Sequence, residues 1–515
     1  MLLAFSLFSD ENAGTLKLNM ENSITLGITN SILLHTLNSK KELFKMMITE
    51  KWRNYLPKIG VSYFGLKNLN LNQNDSSYND IRLTIQQLVY DGGENLLEIE
   101  SARLQEILNG EDFKIIKEKL ILEIKKSYTK NLANRAKHYL IKKSFIRAFS
   151  EIRDVTSEKE LGFATEAQKV TAETKFRDVE LLQERSLGNI HLSEYEFKQL
   201  LNIDPGAKVI FEEDLFFDFF IHEPILDIEA IAENAKFRKI ETSKSRIAID
   251  RLKNSEKISE NYWKPKLLIG GYVGQNINGP LPVKNDVYGI NFSINMNLGS
   301  SSLNTSGNYG EQARGSGIQV IPGFGPQFVG RGENSFNSSN LQLFDNLSHS
   351  RKILEGQIQL EEAIQNHNQL ERIIKSECYK SYDKLKESWN VLHYSNQKAI
   401  QYYEYWKTIA RKFEQGFVKP SELLSVELET INSLQELTDA IAGYINSNYD
   451  FIYSSGMDEN ELKLVELKKN KGNSIFIKMF KEAYEFRNNS GNLKNKNSEK
   501  YKPLENKTEY EYFYE

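Results

Sequence analysis

The chain carries one long pattern twice. A helical stretch opens at Tyr90-Asp91-Gly92 and runs to Gly162 in Leu161-Gly162-Phe163. A second opens at Phe344-Asp345-Asn346 and runs to Gly416 in Gln415-Gly416-Phe417. The Asp-to-Gly spacing is 71 residues in both copies (162 − 91 and 416 − 345). The register persists to Tyr195 and Phe197, which match Tyr449 and Phe451 at an offset of 254. Solenoid repeats are roughly 20–50 residues long, so this unit is too large for one. It reads as a duplicated domain half, with pseudo-symmetric architecture. Each glycine falls where the helical region would reverse, because glycine accepts left-handed backbone angles. Each copy therefore predicts a very long helical hairpin.

The segments before each hairpin also correspond. A helical pattern from Ser23 to Tyr55 stops at Pro57, and one from Ser255 to Lys264 stops at Pro265, since proline cannot continue a helix. Alternating sequence follows each stop. Ile81, Leu83 and Ile85 alternate with polar residues, as do Tyr288, Ile290, Phe292, Ile294 and Met296. Period-two alternation gives a strand one apolar and one polar face. A soluble sheet packed on a core and a lipid-facing sheet share that pattern. No apolar run approaches the roughly 18 residues a membrane helix needs, so any membrane crossing falls to strands. Four strands cannot close a barrel, and an open edge in lipid leaves backbone groups unpaired. A membrane sheet would therefore have to be pooled among chains.

The offset between the prolines is 208 (265 − 57), against 254 for the hairpins, which locates 46 extra residues in the second copy. The Gly-, Ser- and Asn-rich stretch 300–345 supplies them and is expected to be a loop. Gly323 to Gly330 looks faintly like a phosphate loop but lacks the flanking strand and helix. Residues 1–22 begin with the short apolar run Met1 to Ser9, similar to the hydrophobic part of a secretory signal. The expected organisation is then a first repeat over 23–204, a linker over 205–235, and a second repeat over 236–458. A charged, mostly disordered tail follows over 459–515, with a short amphipathic helix from Ile475 to Phe486. In the hairpins, Leu181, Leu182, Leu187 and Ile190, and likewise Leu423, Leu424, Leu428, Ile431 and Leu434, suggest a narrow coiled-coil seam amid dense charge.

The net charge of −4, with no basic stripe, gives no sign of a nucleic-acid partner. Cys378 is the sole cysteine and no two of the seven histidines stand at i, i+4, so neither an internal disulfide nor a helical metal site is expected. No paired carboxylates or triad show convincing spacing. No enzyme activity and no cofactor are expected.

The doubled order of helix, proline, strand pair, Tyr-Asp-Gly-Gly and glycine-centred hairpin resembles the TolC-like outer membrane efflux proteins of Gram-negative bacteria. The residues that carry it are Tyr55-Leu56-Pro57-Lys58, Gln87 to Gly93, Trp263-Lys264-Pro265-Lys266, and Gln415 to Leu424; the resemblance spans about Ser23 to Asp458. It implies an α+β membrane protein, a homotrimer in which each chain gives four strands to one transmembrane β-barrel and two hairpins to a periplasmic α-helical coiled-coil tunnel. The strand residues named above would then meet outer membrane lipid. The implied activity is passive export through the outer membrane, in a tripartite efflux or type I secretion system, with a periplasmic adaptor and an inner-membrane transporter as partners. By position after the hairpin glycines, Glu422, Ser425 and Gln168 correspond to the periplasmic aperture, where acids are frequent; this chain keeps one. Adaptor contacts would lie at Leu161, Gly162, Phe163, Gly416, Phe417 and Val418. The alternative from a different class is a soluble coiled-coil structural or scaffold protein with a small β-sheet.

Overall fold

The structure, a computed structural model, describes residues 16–68, 76–278, 281–282, 285–311, 333–344 and 349–467. Strand β1 (Leu16–Leu18) precedes helices α1 (Met20–Asn30) and α2 (Ile32–Arg53), then β2 (Lys58–Asn68) and β3 (Ser76–Tyr90). The first hairpin is α3 (Glu94–Glu160) and α4 (Glu166–Leu201). Short strands β4 (Val209–Phe211) and β5 (Phe219–Ile221) lead to α5 (Ile228–Arg238) and α6 (Ile240–Glu260). Four strands follow: β6 (Lys266–Asn278), β7 (Asn285–Leu298), β8 (Ser301–Glu311) and β9 (Glu333–Gln342). The second hairpin is α7 (His349–Glu414) and α8 (Pro420–Ser455), and α9 (Glu459–Leu462) and β10 (Val465–Leu467) close the described chain.

The repeat governs the elements closely. Helices α4 and α8 each have 36 residues, and both of their ends are offset by 254 (420 − 166 and 455 − 201). Helices α1 and α5 begin 208 apart (228 − 20), the offset of the two prolines, and the breaks at Ser31 and Lys239 keep it. The Tyr-Asp-Gly-Gly motif has a local cause. Gly92 and Gly93 both take positive φ, turning the chain from β3 into α3. Asp91 then accepts from the backbone N–H groups of Gly93 (2.9 Å) and Asn95 (2.7 Å), donors that the first turn of a helix leaves unpaired.

The chain divides into two compact units. The first takes in the described parts of Met1–Ser31, Lys117–Ala235 and Lys375–Glu515. It holds most of the buried apolar residues. Tyr128 of α3 sits among Phe197 and Phe211, with ring centroids 5.9 and 5.1 Å away. Its single hydroxyl proton has two acceptors in reach, the Glu213 carboxyl and the Leu18 carbonyl (3.1 Å), so the buried hydroxyl is satisfied. Burial pushes both the Tyr128 hydroxyl and the Glu213 carboxyl above their ordinary ranges. Helix α3 is tied to α8 along its length by Lys126–Asp450, Lys137–Asp439 (2.7 Å) and Arg147–Glu427 (3.2 Å). The descending partner numbers establish that the two helices run antiparallel.

Two expectations are corrected in this unit, both about how the hairpin helices are buried. Leu181 and Leu182 do not lie in the seam of α4; both are exposed. Its buried line is Ala172, Val179, Ser186 and Ser193, one per heptad, because small side chains let the helices approach closely. Helix α8 is buried over a broad face rather than a narrow seam, from Leu423 through Tyr444 and Ile445 to Phe451. The segment expected as a linker over 205–235 contains structure: β4 pairs with β1 in parallel, and β5 pairs with β10 antiparallel. Consequently the first residues of the expected tail are folded, with Leu462 and Leu464 buried. Residues 1–15, the Gly323 to Gly330 stretch and Ile475 to Phe486 lie outside the described residues.

The second unit takes in Ile32–Ile116 and Lys236–Ile374 in their described parts. Its centrepiece is a six-stranded sheet in the order β2-β3-β6-β7-β8-β9, antiparallel throughout. The stretch 300–345 is thus not simply a loop. Its β8 pairs with β7 over the full run Leu298↔Ser301 to Tyr288↔Glu311, and β9 pairs with β8 from Ser302↔Gln342 to Glu311↔Glu333. Ser, Asn and Gly predominate in both strands, so no apolar alternation announces them; the backbone ladder makes them.

Candidate functional site

The register places the strand residues singled out in the sequence on one face. Ile85 pairs with Ile59 on β2 and with Gly271 on β6, which in turn pairs with Ile290 on β7. Leu83 is joined in the same way to Val61, Val273 and Tyr288. Ile81, Phe292, Ile294 and Met296 share the parity of these rows. The apolar face therefore runs continuously over β2, β3, β6 and β7, and includes Ile59, Val61, Tyr63 and Val273, which the sequence reading did not single out. The opposite face carries Thr84, Gln86, Asn291, Ser293 and Asn295.

Nothing within the described residues covers the apolar face. Val61 is 75 % exposed and Ile290 62 %. Among the sheet's described side chains only one apolar residue, Val287, is buried, and its parity puts it on the opposite face. A soluble sheet buries its apolar face against a second layer; this one does not. An uncovered apolar area of this kind marks a surface that meets another apolar phase or partner.

The hairpin tips are built alike. Phe163 N–H donates to the Glu158 carbonyl (2.8 Å) and Gly162 N–H to Lys159 (3.0 Å). Phe417 N–H donates to Lys412 (2.9 Å) and Gly416 N–H to Phe413 (2.9 Å). Both are Schellman closures, with the glycines at φ 79° and 80°. Leu161, Phe163 and Phe417 project into solvent, the two phenylalanines at 81 % and 79 % exposure. Val418 is different: it packs half-buried on the cluster of Ile409, Ala410, Leu423 and Val426.

The three aperture candidates have distinct local roles. Gln168 closes a capping box with Thr165 at the start of α4: its side chain accepts from Thr165 N–H (2.7 Å), and Thr165 Oγ1 accepts from Gln168 N–H (3.3 Å). Glu422 stands exposed in the first turn of α8, where a negative charge is favoured by the helix dipole. Ser425 is half-buried and accepts from Lys175 Nζ at 2.6 Å; Lys175 also donates to the Ser421 carbonyl (3.2 Å).

Lys175 belongs to a polar cluster that sequence reading missed. It links α4 to α8, while Arg147 of α3 reaches Glu427 of α8. Glu151, one turn beyond Arg147, is 2 % exposed, and its Oε1 has no hydrogen-bond partner. Desolvation raises its carboxyl above the ordinary range; Arg147 and Lys175 oppose this, and Asp154 and Glu158 add to it. A raised carboxyl favours the folded state while protonated, and that contribution is lost as pH rises from the ordinary carboxylate range through the raised value. Glu151→Gln is therefore expected to match the parent near pH 4 and to exceed it near pH 8 by about 1 kcal/mol. Thermal unfolding at the two pH values checks this; equal stability at pH 8 would contradict it.

Among the described residues no group of His, Cys, Asp and Glu could hold a metal ion, and no helix is long and apolar enough to cross a membrane. No protein-family model and no curated protein sequence matches the chain. Solved structures do, and they place the chain in a structural class: its fold is that of TolC-like outer-membrane channels. The Campylobacter jejuni CmeC outer membrane channel superposes with a TM-score of 0.66 at 12% identity, over 85% of this chain and 85% of that one. The Neisseria gonorrhoeae MtrE outer membrane channel, in its open state, gives 0.65 at 11%, over 85% and 89%. CusC, studied for folding and transmembrane channel formation, gives 0.65 at 10%, over 88% and 96%. At such identities the likeness is one of fold.

Proposed function

We propose that the chain is an outer-membrane export duct. Three copies pool their strands in one transmembrane β-barrel and their hairpins in a periplasmic α-helical tunnel. The duct is passive, catalyses no reaction, and works with a periplasmic adaptor and an inner-membrane transporter in a tripartite efflux or type I secretion system. The host is a Gram-negative bacterium.

The observation that carries this reading is the uncovered apolar face of the sheet. Lipid supplies the missing apolar phase, and the small polar residues opposite suit a wet lumen. The unpaired sheet edges require closure, which further copies of the chain provide. A second feature supports association. Val170, Leu181 and Leu192 of α4 are all at least half exposed and stand 11 residues apart, close to three helical turns. They form an apolar stripe with no partner among the described residues, as a helix in a tunnel wall needs for its neighbour. A soluble scaffold would leave both the sheet face and this stripe in water.

Purified protein reconstituted in a planar bilayer tests the reading. Steady single-channel conductance is expected; protein that neither inserts nor conducts would refute it. In the same preparation Glu422, repeated three times about the axis, gives the narrow end a negative potential attractive to cations. Glu422→Gln is expected to weaken block by multivalent cations several-fold. Unchanged block would remove Glu422 from the aperture.

A further inference from the structure

The sheet itself constrains how a barrel could close. In a ring of four-stranded contributions, β7 of one copy would pair with β2 of the next. Here the free side of β7 is already taken, because β8 pairs with it from Ser301 to Glu311 without a break. Freeing β7 would mean giving up that whole ladder. In the described six-stranded sheet, the strands with one unpaired side are β2 and β9.

These two edges are compatible. They have 11 and 10 residues. Every neighbour in the sheet is antiparallel and the count of strands is even, so β9 and the next copy's β2 also meet antiparallel. Ring closure then leaves no strand with unpaired N–H and C=O groups in lipid. The parity of the faces can be followed through β8 into β9. By register, Ser335, Asn337, Ser339 and Leu341 of β9 lie on the side of Tyr309, Gly307, Thr305 and Leu303 of β8, hence on the side of Ile290 and Phe292. None of those four is charged, so none imposes the penalty that a cation at mid-membrane would. The other face of β8 and β9 includes Ser302, Asn304, Ser306, Asn308, Ser338 and Asn340, six uncharged polar residues.

We propose that β9 of one copy pairs with β2 of the next, so that each chain contributes six strands rather than four to the shared barrel. Three chains then make a ring of eighteen strands (3 × 6). Barrel diameter grows roughly linearly with strand number, and about 16–18 strands leave an aqueous channel. The hairpin encoded by the second copy's extra residues is thus a widening of the pore, built in wherever the repeat carries 46 residues with no counterpart in the first copy. This inference rests on the trimeric barrel proposed above.

Cysteine pairs test it in the assembled protein in membranes, with the native buried Cys378 as background. Val61→Cys is combined in turn with Asn337→Cys, Ser339→Cys and Leu341→Cys, a series that covers the possible registers of the new edge. At least one pair is expected to oxidise to covalent trimers on a denaturing gel. Val61→Cys with Ile290→Cys, Phe292→Cys or Ile294→Cys is expected to give none. Cross-linking through β7 in place of β9 overturns the proposal while leaving the trimeric barrel standing, and cross-linking through neither strand overturns it too. Protein that never forms a trimer overturns both. Strand counting in images of the unsubstituted trimer is the second measurement, needing no variant to fold: eighteen is expected, and twelve contradicts the proposal.

Discussion

Ile290→Lys is expected to abolish assembled trimer in the outer membrane, whereas Asn291→Lys, on the next residue, is expected to leave it largely intact. The two positions differ in the face they occupy. Ile290 is 62 % exposed in the middle of the continuous apolar face, in a row with Ile59 and Ile85. A lysine facing lipid near mid-membrane costs about 2–4 kcal/mol, and threefold symmetry would impose that cost three times in one barrel. Asn291 lies on the opposite face, which in the proposed barrel would line the lumen, where a cation stays hydrated. Heat-modifiable trimer bands from outer-membrane fractions measure the outcome. Equal trimer from both variants would mean that the apolar face does not meet lipid.

The second large effect is expected at the hairpin tips. Replacing both Phe163 and Phe417 with Asp should abolish export while leaving trimer formation and bilayer conductance unchanged. These two aromatic rings are about four-fifths exposed, in equivalent places on identical Schellman closures. They contribute little to packing, so folding should tolerate their loss. Large exposed aromatics are frequent anchors of partner surfaces, and truncating one that acts as an anchor costs about 2 kcal/mol or more. Since about 1.4 kcal/mol is tenfold in affinity, the pair would weaken adaptor binding by well over a hundredfold if each acts independently. Val418→Asp is the informative contrast: its side chain packs on the Ile409 cluster, so it should lower hairpin stability instead. Adaptor binding to the purified trimer and export in cells are the readouts. Intact export by the double variant would place the adaptor elsewhere.

The hairpins and the sheet face were legible in the sequence because their causes are local. A glycine at the left-handed position of a Schellman closure marks a tip wherever it follows a helix, and Gly162 and Gly416 do so in matched copies. Parity along a strand places Ile81, Leu83 and Ile85 on one face whatever the strand packs against, and the register then adds the residues of β7. The strands β8 and β9 were not legible. Ser, Asn and Gly on both faces read as loop, and what makes them strands is their pairing with β7 and with each other. The seam of α4 was misjudged for a related reason. Leu181 and Leu182 are apolar, yet close helix approach selects Ala172, Ser186 and Ser193, and the leucines are left outside. The cluster of Arg147, Glu151, Lys175 and Glu427 joins residues up to 280 positions apart, and nothing in the local sequence of any of them announces the others. Charge-dense helices contain many such residues, and only the antiparallel packing of α3 on α8 selects these.

The same reasoning clarifies Ser425. An acid would fit the family resemblance there, but in this chain the hydroxyl receives Lys175 and returns a hydrogen bond to the Ser421 carbonyl (3.0 Å). Together with Gln168 in its capping box, this leaves Glu422 as the one acid among the three aperture candidates, exposed in the first turn of α8.

Lipid and further copies of the chain are proposed to complete its uncovered faces. Imaging the detergent-extracted protein by electron cryomicroscopy tests this most directly. Three copies about one axis are expected, with a closed β-barrel inside the detergent belt and a helical tube extending from it. A monomer in free solution, or an assembly whose sheet is covered by protein instead of detergent, would contradict this.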